Sequence, residues 1–98
     1  MTLKTRYLFF RKTYPDTLLI FRIKENYMVF DIDYEIGKYL HFKKDVSIFE
    51  HYKIDFIVIG NTEILKSSFF EDNQYGKYVY LIRIKRYLDK IISCLLID

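Results

Sequence analysis

The stretch TLLIFRIKENYMVFDI, residues 17–32, contains two apolar runs separated by a short polar break. The first run, 17–23, is almost continuous and rich in residues that favour strands, which predicts an interior strand covered on both faces. The second run, 27–32, predicts the returning strand of a hairpin. Residues 24–26 are predicted to form the turn, because Asn26 tolerates left-handed backbone angles.

The segments outside this hairpin are predicted from the spacing of their apolar residues. A period of three to four residues predicts helices at 3–13, 33–40, 62–74 and 86–98. Strands are predicted at 45–50, 54–60 and 77–84. The resulting order, α-β-β-α-β-β-α-β-α, mixes hairpins with helical crossovers. We therefore expect an α/β (α+β) fold, in which a mixed sheet of about five strands is flanked by helices.

Composition limits the classes of protein that fit. The 98 residues, 51% of them apolar, suffice for one domain with its own core, residues 1–98. The net charge of +3 permits an acidic partner without requiring one. Cys94 is the single cysteine, which fits a reducing cytoplasm. Because the first residues lack a signal-peptide pattern and no apolar run approaches about 20 residues, we expect a cytoplasmic protein without a membrane span.

A series of residues between 7 and 40 is similar to the N-terminal domain of the MutS family of DNA mismatch-repair proteins. The matching positions are Tyr14-Pro15-Asp16, Leu19-Ile20-Phe21-Arg22, Tyr27, Phe30, Asp33 and Leu40. The second half of the chain fits the family layout more loosely, at Ile59-Gly60 and Gly76. The resemblance implies the fold of that domain, as a stand-alone and degenerate version, and it implies binding to double-stranded DNA.

The hallmark of the family is not kept. In the family, a Phe stacks on the mispaired base and a Glu hydrogen-bonds it; these two positions are Asn26 and Met28 here. An Asn side chain cannot wedge between bases as an aromatic ring does. The chain also lacks a G-x-x-x-x-G-K-[ST] phosphate loop, so nucleotide hydrolysis by that route is not expected. We therefore expect mismatch reading to be weakened or lost.

A short basic phrase occurs twice, as Phe21-Arg22-Ile23-Lys24 and as Ile82-Arg83-Ile84-Lys85. At the ends of two predicted strands, alternation would place both cations of each phrase on one face. Such a patch would hold backbone phosphates. The alternative is that these charges merely meet water at strand ends, with Arg22 paired to a carboxylate. The candidate DNA-binding residues are Arg22, Lys24, Asn26, Met28, Lys43, Lys44, Arg83 and Lys85.

Other groupings of reactive side chains favour structural roles. Asp31, Asp33 and Glu35 alternate and could ligate a cation, but acidic residues are also usual at a helix start, which is the favoured interpretation. His41, His51 and Cys94 lack metal-ligand spacing. A Cys–His nucleophile pair is disfavoured, because a small thiol on an amphipathic helix is ordinarily buried. We expect no catalytic residues, no metal and no cofactor.

The sequence therefore predicts a small non-enzymatic domain that binds nucleic acid mainly through backbone phosphates. The alternative is a protein-interaction or regulatory module that kept the scaffold without DNA binding. A protein partner or a homodimer, formed through the apolar side of the C-terminal helix, is the associated expectation.

Overall fold

The computed structural model describes residues 2–67 and 74–97, with side chains described through Lys90. These residues form a four-stranded sheet and four helices. The helices are α1 (Leu3–Thr13), α2 (Asp31–Tyr39), α3 (Ser47–His51) and α4 (Gln74–Ile97). The strands are β1 (Leu18–Ile23), β2 (Asn26–Met28), β3 (Phe56–Ile59) and β4 (Ile64–Lys66). The predicted class, a mixed sheet flanked by helices, is confirmed, with four strands in place of about five.

The sheet has the order β2-β1-β3-β4. The central strands β1 and β3 are parallel, with Leu18 opposite Phe56 and Phe21 opposite Ile59. Each outer strand pairs antiparallel with its central neighbour. The interior position predicted for β1 from its apolar run is therefore confirmed, and the first four residues of the strand are buried.

Alternate side chains of β1 enter two separate cores, one on each face of the sheet. Leu19 and Phe21 pack with the apolar side of α1, through Tyr7 and Phe10 among others. Leu18 and Ile20 face the opposite side, in a core completed by residues of α2, α3 and α4. The described core residues of this second side are Leu18, Ile20, Ile36, Leu40, Phe49, Ile54, Phe56, Val58, Tyr75 and Ile82. One sheet thus separates α1 from the other three helices.

Two helices end in the same backbone motif, although neither ends in glycine. After α2, His41 has a φ of 60° and the N–H of Phe42 donates to the carbonyl of Gly37 at 2.7 Å. After α3, Lys53 has a φ of 55° and the N–H of Ile54 donates to the carbonyl of Phe49 at 2.9 Å. Both are Schellman motifs, in which a left-handed residue reverses the chain and satisfies the last carbonyls of the helix.

The hairpin differs from its prediction in two details. The left-handed residue of the turn is Lys24, with a φ of 57°, and Asn26 is instead the first residue of β2. The strand ends at Met28 and not at residue 32, because α2 already begins at Asp31. The hydrophobic residues after Met28 thus lie in a connection between strand and helix, from which they pack into the cores. Phe30, for example, packs beside Phe21, with 5.7 Å between the ring centroids.

Three predictions of secondary structure are wrong. Residues 45–50, predicted as an edge strand, mostly form α3, in which Phe49 is fully buried. The strand predicted at 77–84 is the interior of α4, which begins at Gln74 and includes the helix predicted at 86–98 as far as Ile97. The helix predicted at 62–74 contains strand β4, and residues 68–73 of that prediction lie outside the described residues.

No helix in the part of the chain that the structure describes combines the length and the apolar character needed to cross a membrane.

Candidate nucleic-acid interface

Arg22 and Lys24 lie at the end of the sheet where the β1–β2 hairpin turns. Both side chains are exposed, and both line a cavity of about 320 Å³ whose opposite wall is the β3–β4 connection, residues 60–63. The Arg22 guanidinium donates from Nε to the carbonyl oxygen of Lys24 at 3.4 Å. Within the described residues neither cation forms a salt bridge with a carboxylate. Neither charge is therefore neutralised by a salt bridge, although Glu63 lines the same cavity.

Met28 and Lys43 lie along the free edge of the same hairpin. They line a cavity of about 430 Å³ beside the edge strand β2, together with Lys38 and the rings of Tyr27, Tyr34 and Phe42. Tyr27 is the cross-strand partner of Arg22, and both residues line a further cavity of about 430 Å³, distinct from the one at the turn. The cations at the turn and those beyond Met28 thus lie along one edge of the hairpin.

Asn26 and Met28 occupy alternate positions of β2, opposite Ile23 and Phe21 respectively. Both are exposed, Met28 to 40%, whereas Tyr27 between them turns toward the core beneath α2. Lys44 is exposed in the α2–α3 connection next to Lys43. Six of the eight candidate residues therefore belong to the hairpin or to the α2–α3 connection.

Arg83 and Lys85 do not belong to this region. They lie on α4, where residues two positions apart are rotated by about 200° around the helix axis and so point in different directions. Arg83 lines another cavity, of about 410 Å³, together with Tyr7, Arg11 and Asp16. The prediction that strand alternation places Arg83 and Lys85 on one face is wrong, because the second phrase is helical.

A buried polar cluster centred on Asp33 was not predicted from the sequence. This carboxylate has no exposed surface, and it forms a salt bridge with Arg11 of α1. It also accepts hydrogen bonds from the Tyr75 hydroxyl of α4 at 2.8 Å and from the Leu19 amide of β1 at 3.1 Å. Arg11 extends the cluster by donating to the carbonyl of Thr17 at 2.8 Å. Asp33 therefore joins three elements to its own helix.

Burial dominates the electrostatics of this cluster. It raises the pKa of Asp33 to about 6, while Arg11, Tyr75 and the Leu19 amide each oppose that rise. Burial, together with the nearby Asp33 carboxylate, also raises the pKa of Tyr75, which keeps its hydroxyl protonated as a donor. All these contacts are within the protein, so the cluster has the character of a structural network.

The three alternating carboxylates at the start of α2 lie in different environments. Asp33 is buried, Asp31 is exposed, and Glu35 forms a salt bridge of 2.7 Å with Arg86. Asp31 and Asp33 stand in the first turn of α2, as the helix-start interpretation expects. Among the residues with described placement, no group of three or more His, Cys, Asp or Glu side chains is arranged to hold a metal ion.

The two histidines lie at helix ends. His41 is the left-handed residue after α2, and His51 is the last residue of α3, with its ring 5.0 Å from that of Tyr52. The Cys94 side chain lies outside the described part of the chain, so the Cys–His pair stays untested by the structure.

Comparison of the chain with protein-family models, with curated proteins and with solved structures gives no match. The similarity to the MutS N-terminal domain therefore stays a prediction that rests on the residues quoted for it. In this structure those residues include Asp33 of the buried cluster, Phe30 of the core under α1, and Tyr14, the C-cap residue that follows α1.

Proposed function

We propose that this protein is a small non-enzymatic cytoplasmic domain that binds double-stranded DNA through backbone phosphates, along the free edge of the β1–β2 hairpin. The observation that carries the proposal is the arrangement of cations along this edge. Arg22 and Lys24 lie at the turn, and Lys38 and Lys43 lie beyond Met28. Within the described residues none of the four forms a salt bridge.

Exposed cations outside salt bridges suit phosphate binding, because they need not lose a salt bridge on contact with DNA. An Arg or Lys that meets a phosphate releases condensed counterions, and this release supplies most of the affinity of non-specific binding. The exposed amide of Asn26, the first residue of β2, is a further donor for a phosphate oxygen. Such contacts position a duplex without reading its sequence.

The hairpin supports duplex binding better than mismatch reading. Asn26 lacks the ring that an intercalating wedge needs. Met28 is apolar, but it lines a groove between β2 and α2 and stands opposite Phe21 within the sheet. We therefore expect equal affinity for matched and mismatched duplexes.

Fluorescence anisotropy tests the proposal directly. The full chain would be titrated onto a labelled matched duplex, the same duplex with one G·T mismatch, and single-stranded DNA. We expect binding to the two duplexes with the same dissociation constant and a steep loss of affinity between 50 and 200 mM salt, as for counterion release. Absence of binding at 50 mM salt, or a mismatch preference of tenfold or more, would overturn it.

A pair of charge-matched variants tests the location. The first replaces Arg22, Lys24 and Lys43 by Gln, and the second replaces the exposed Lys12, Lys77 and Lys90 by Gln. Both lose three positive charges, so a general effect of net charge would weaken DNA binding equally in the two. We expect at least a tenfold larger loss in the hairpin variant.

A further inference from the structure

Helix α4 has two apolar faces, and only the inner face is covered by the domain. On the inner face Tyr75 and Ile82 are buried, and Tyr78 and Val79 pack on the same core. These residues follow the spacing i, i+3, i+4, i+7 of a single helix face. Every described side chain from Arg83 to Lys90 is exposed, so the buried apolar contact of α4 with the domain ends at Ile82; beyond it, Arg86 forms a salt bridge with Glu35 of α2.

The outer face lies on the opposite side of α4 and stays apolar. Leu81, Ile84 and Leu88 are 50%, 36% and 51% exposed, at spacings of three and four residues. The sequence continues these spacings at Ile91 and Leu95, on a helix whose backbone runs to Ile97. We call this series, Leu81, Ile84, Leu88, Ile91 and Leu95, the outer stripe.

The inner face changes character where the domain ends, whereas the outer stripe does not. Beyond Ile82 the next inner-face positions are occupied by Arg86 and Asp89 in place of apolar residues. That change is what a face exposed to water requires. The outer stripe keeps Leu and Ile over the same turns, which indicates that another protein surface covers it.

The spacing of the outer stripe identifies a second helix of the same kind as the occupant. Alternating steps of three and four give a period of 3.5 residues, the heptad pattern of helices that supercoil around one another. Leu occupies every a position and Ile every d position from Leu81 to Leu95. In parallel coiled coils this choice favours assemblies of more than two strands.

The flanking positions also fit self-association. With Leu81 as position a, the charged residues of the exposed turns fall at b, c and f, which face away from a coiled-coil seam. They are Arg83, Arg86, Asp89 and Lys90. The one exception is Lys85, at position e. In a parallel bundle it would lie beside Tyr80, at position g of the neighbouring helix, where a cation–π contact can form in place of charge repulsion.

We propose that the outer stripe of α4 joins copies of this chain into a parallel coiled-coil bundle of four helices. The domains would be carried outside the bundle, since they attach to the opposite face of α4. The proposal does not depend on DNA binding, because the outer stripe and the hairpin edge share no residue.

Light scattering coupled to gel filtration tests this assembly on the full chain. The expected mass at about 100 µM is four times the 12.1 kDa of one chain. Leu88→Glu should reduce the mass to that of a single chain. Leu8→Glu is the matched control, because Leu8 of α1 is 56% exposed outside the stripe, and it should keep the four-chain mass. Circular dichroism of both variants should show that the domain is still folded.

A single-chain mass for the unmodified protein, or an equal effect of the two Glu variants, would overturn the proposal. Orientation is tested by Leu81→Cys in a Cys94→Ser background. In a bundle of parallel helices in register, the copies of residue 81 lie at the same level. Oxidation should therefore link neighbouring chains in pairs by a disulfide. Antiparallel helices place them at opposite ends, and absence of the cross-link in an assembled sample would overturn the parallel arrangement.

Discussion

The hydroxyl of Tyr75 donates a hydrogen bond of 2.8 Å to the buried carboxylate of Asp33, 42 positions earlier in the chain. The contact attaches the first turn of α4 to the first turn of α2. Because the same carboxylate is salt-bridged to Arg11, α1 is fixed to α4 through the side chain of Asp33.

Loss of this hydrogen bond should measurably destabilise the protein. We expect Tyr75→Phe to lower the free energy of unfolding by about 1–2 kcal/mol, because it leaves one oxygen of a buried carboxylate without its donor. Urea denaturation followed by circular dichroism gives the value. Tyr80→Phe is the control at an exposed hydroxyl on the same helix and should change stability by less than about 0.5 kcal/mol. Equal effects of the two variants would contradict the structural role assigned to Tyr75.

Removal of the carboxylate itself should cost more. Asp33→Ala leaves the Arg11 guanidinium half-buried without its counter-charge, and it also removes the acceptor for Tyr75 and for the Leu19 amide. Truncation of one partner of a buried ion pair typically costs about 3–5 kcal/mol. We expect a correspondingly lower urea midpoint than for Tyr75→Phe. A loss smaller than that of Tyr75→Phe would show that the carboxylate is not the centre of the cluster.

The stability of the protein should depend on pH through Asp33. Burial raises the pKa of this group from its usual 3.8 to about 6 in the folded protein, so the folded state binds this proton more tightly than the unfolded state does. The stability that protonation contributes is complete below about pH 4 and is lost as the pH rises through 6. The raised pKa corresponds to a loss of about 3 kcal/mol.

The measurement is the free energy of unfolding from pH 3.5 to 8 for the unmodified protein and for Asp33→Asn. The difference between the two curves isolates Asp33 from the other carboxyl groups. The unmodified protein should lose stability relative to Asp33→Asn between pH 4 and 6. Above pH 7 the difference in stability should be constant. A difference that rises over this interval would mean that Arg11 lowers the pKa below its ordinary value.

Glycine should stabilise the two helix ends that lack it. His41 and Lys53 hold left-handed angles that cost an L-residue about 1 kcal/mol, and glycine adopts them without strain. Glycine also raises the conformational entropy of the unfolded chain, which offsets part of this stabilisation. We therefore expect the free energy of unfolding to rise by roughly 0.5 kcal/mol for each of His41→Gly and Lys53→Gly. Lys38→Gly, at an exposed position in the last turn of α2, should instead destabilise by up to about 1 kcal/mol. Thermal melting compares the three variants.

Single cations of the two basic phrases should differ in their effect on DNA binding. We expect Lys24→Gln to lower the slope of log affinity against log salt by about 0.9, the loss of one phosphate contact. Lys85→Gln should leave the slope unchanged, because Lys85 lies on α4 and not at the hairpin. The reverse order of effects would place the DNA on α4. Anisotropy titrations at four salt concentrations measure both slopes.

The sequence predicts the elements that have one clear period and a clear end. Helix α1 was predicted with the bounds that the structure shows, because Leu3, Tyr7 and Phe10 share one face and Pro15 follows. Strand β3 was predicted because its apolar run is continuous and Gly60 ends it. Both elements are defined by local signals that tertiary contacts reinforce.

The missed elements lack such signals. In the five residues of α3 a period of two and a period of 3.6 cannot be separated, and Lys53 occupies the position where glycine would have marked a helix end. Residues 77–84 are rich in strand-forming side chains. The helical spacing from Tyr75 to Ile82 outweighs that propensity, because it buries one face of α4 in the core.

The buried cluster could not be predicted from the local pattern. Asp33 looks like an ordinary acidic residue at a helix start, and nothing near it in sequence specifies Arg11 or Tyr75 as partners. The contacts depend on how α1 and α4 pack on opposite faces of the sheet, which is a property of the whole fold. By contrast, the cations of the hairpin were identified locally, because a turn exposes its charged residues wherever the hairpin packs.

The parallel pairing of β1 with β3 has a consequence for synthesis of the protein. Strand β1 is complete at Ile23, but its neighbour on one side consists of residues 56–59. Until that segment leaves the ribosome, the emerging chain carries Leu18–Phe21 with an unpaired backbone edge and no closed core. The chain must therefore be translated as far as Ile59 before the buried part of β1 can be protected from aggregation.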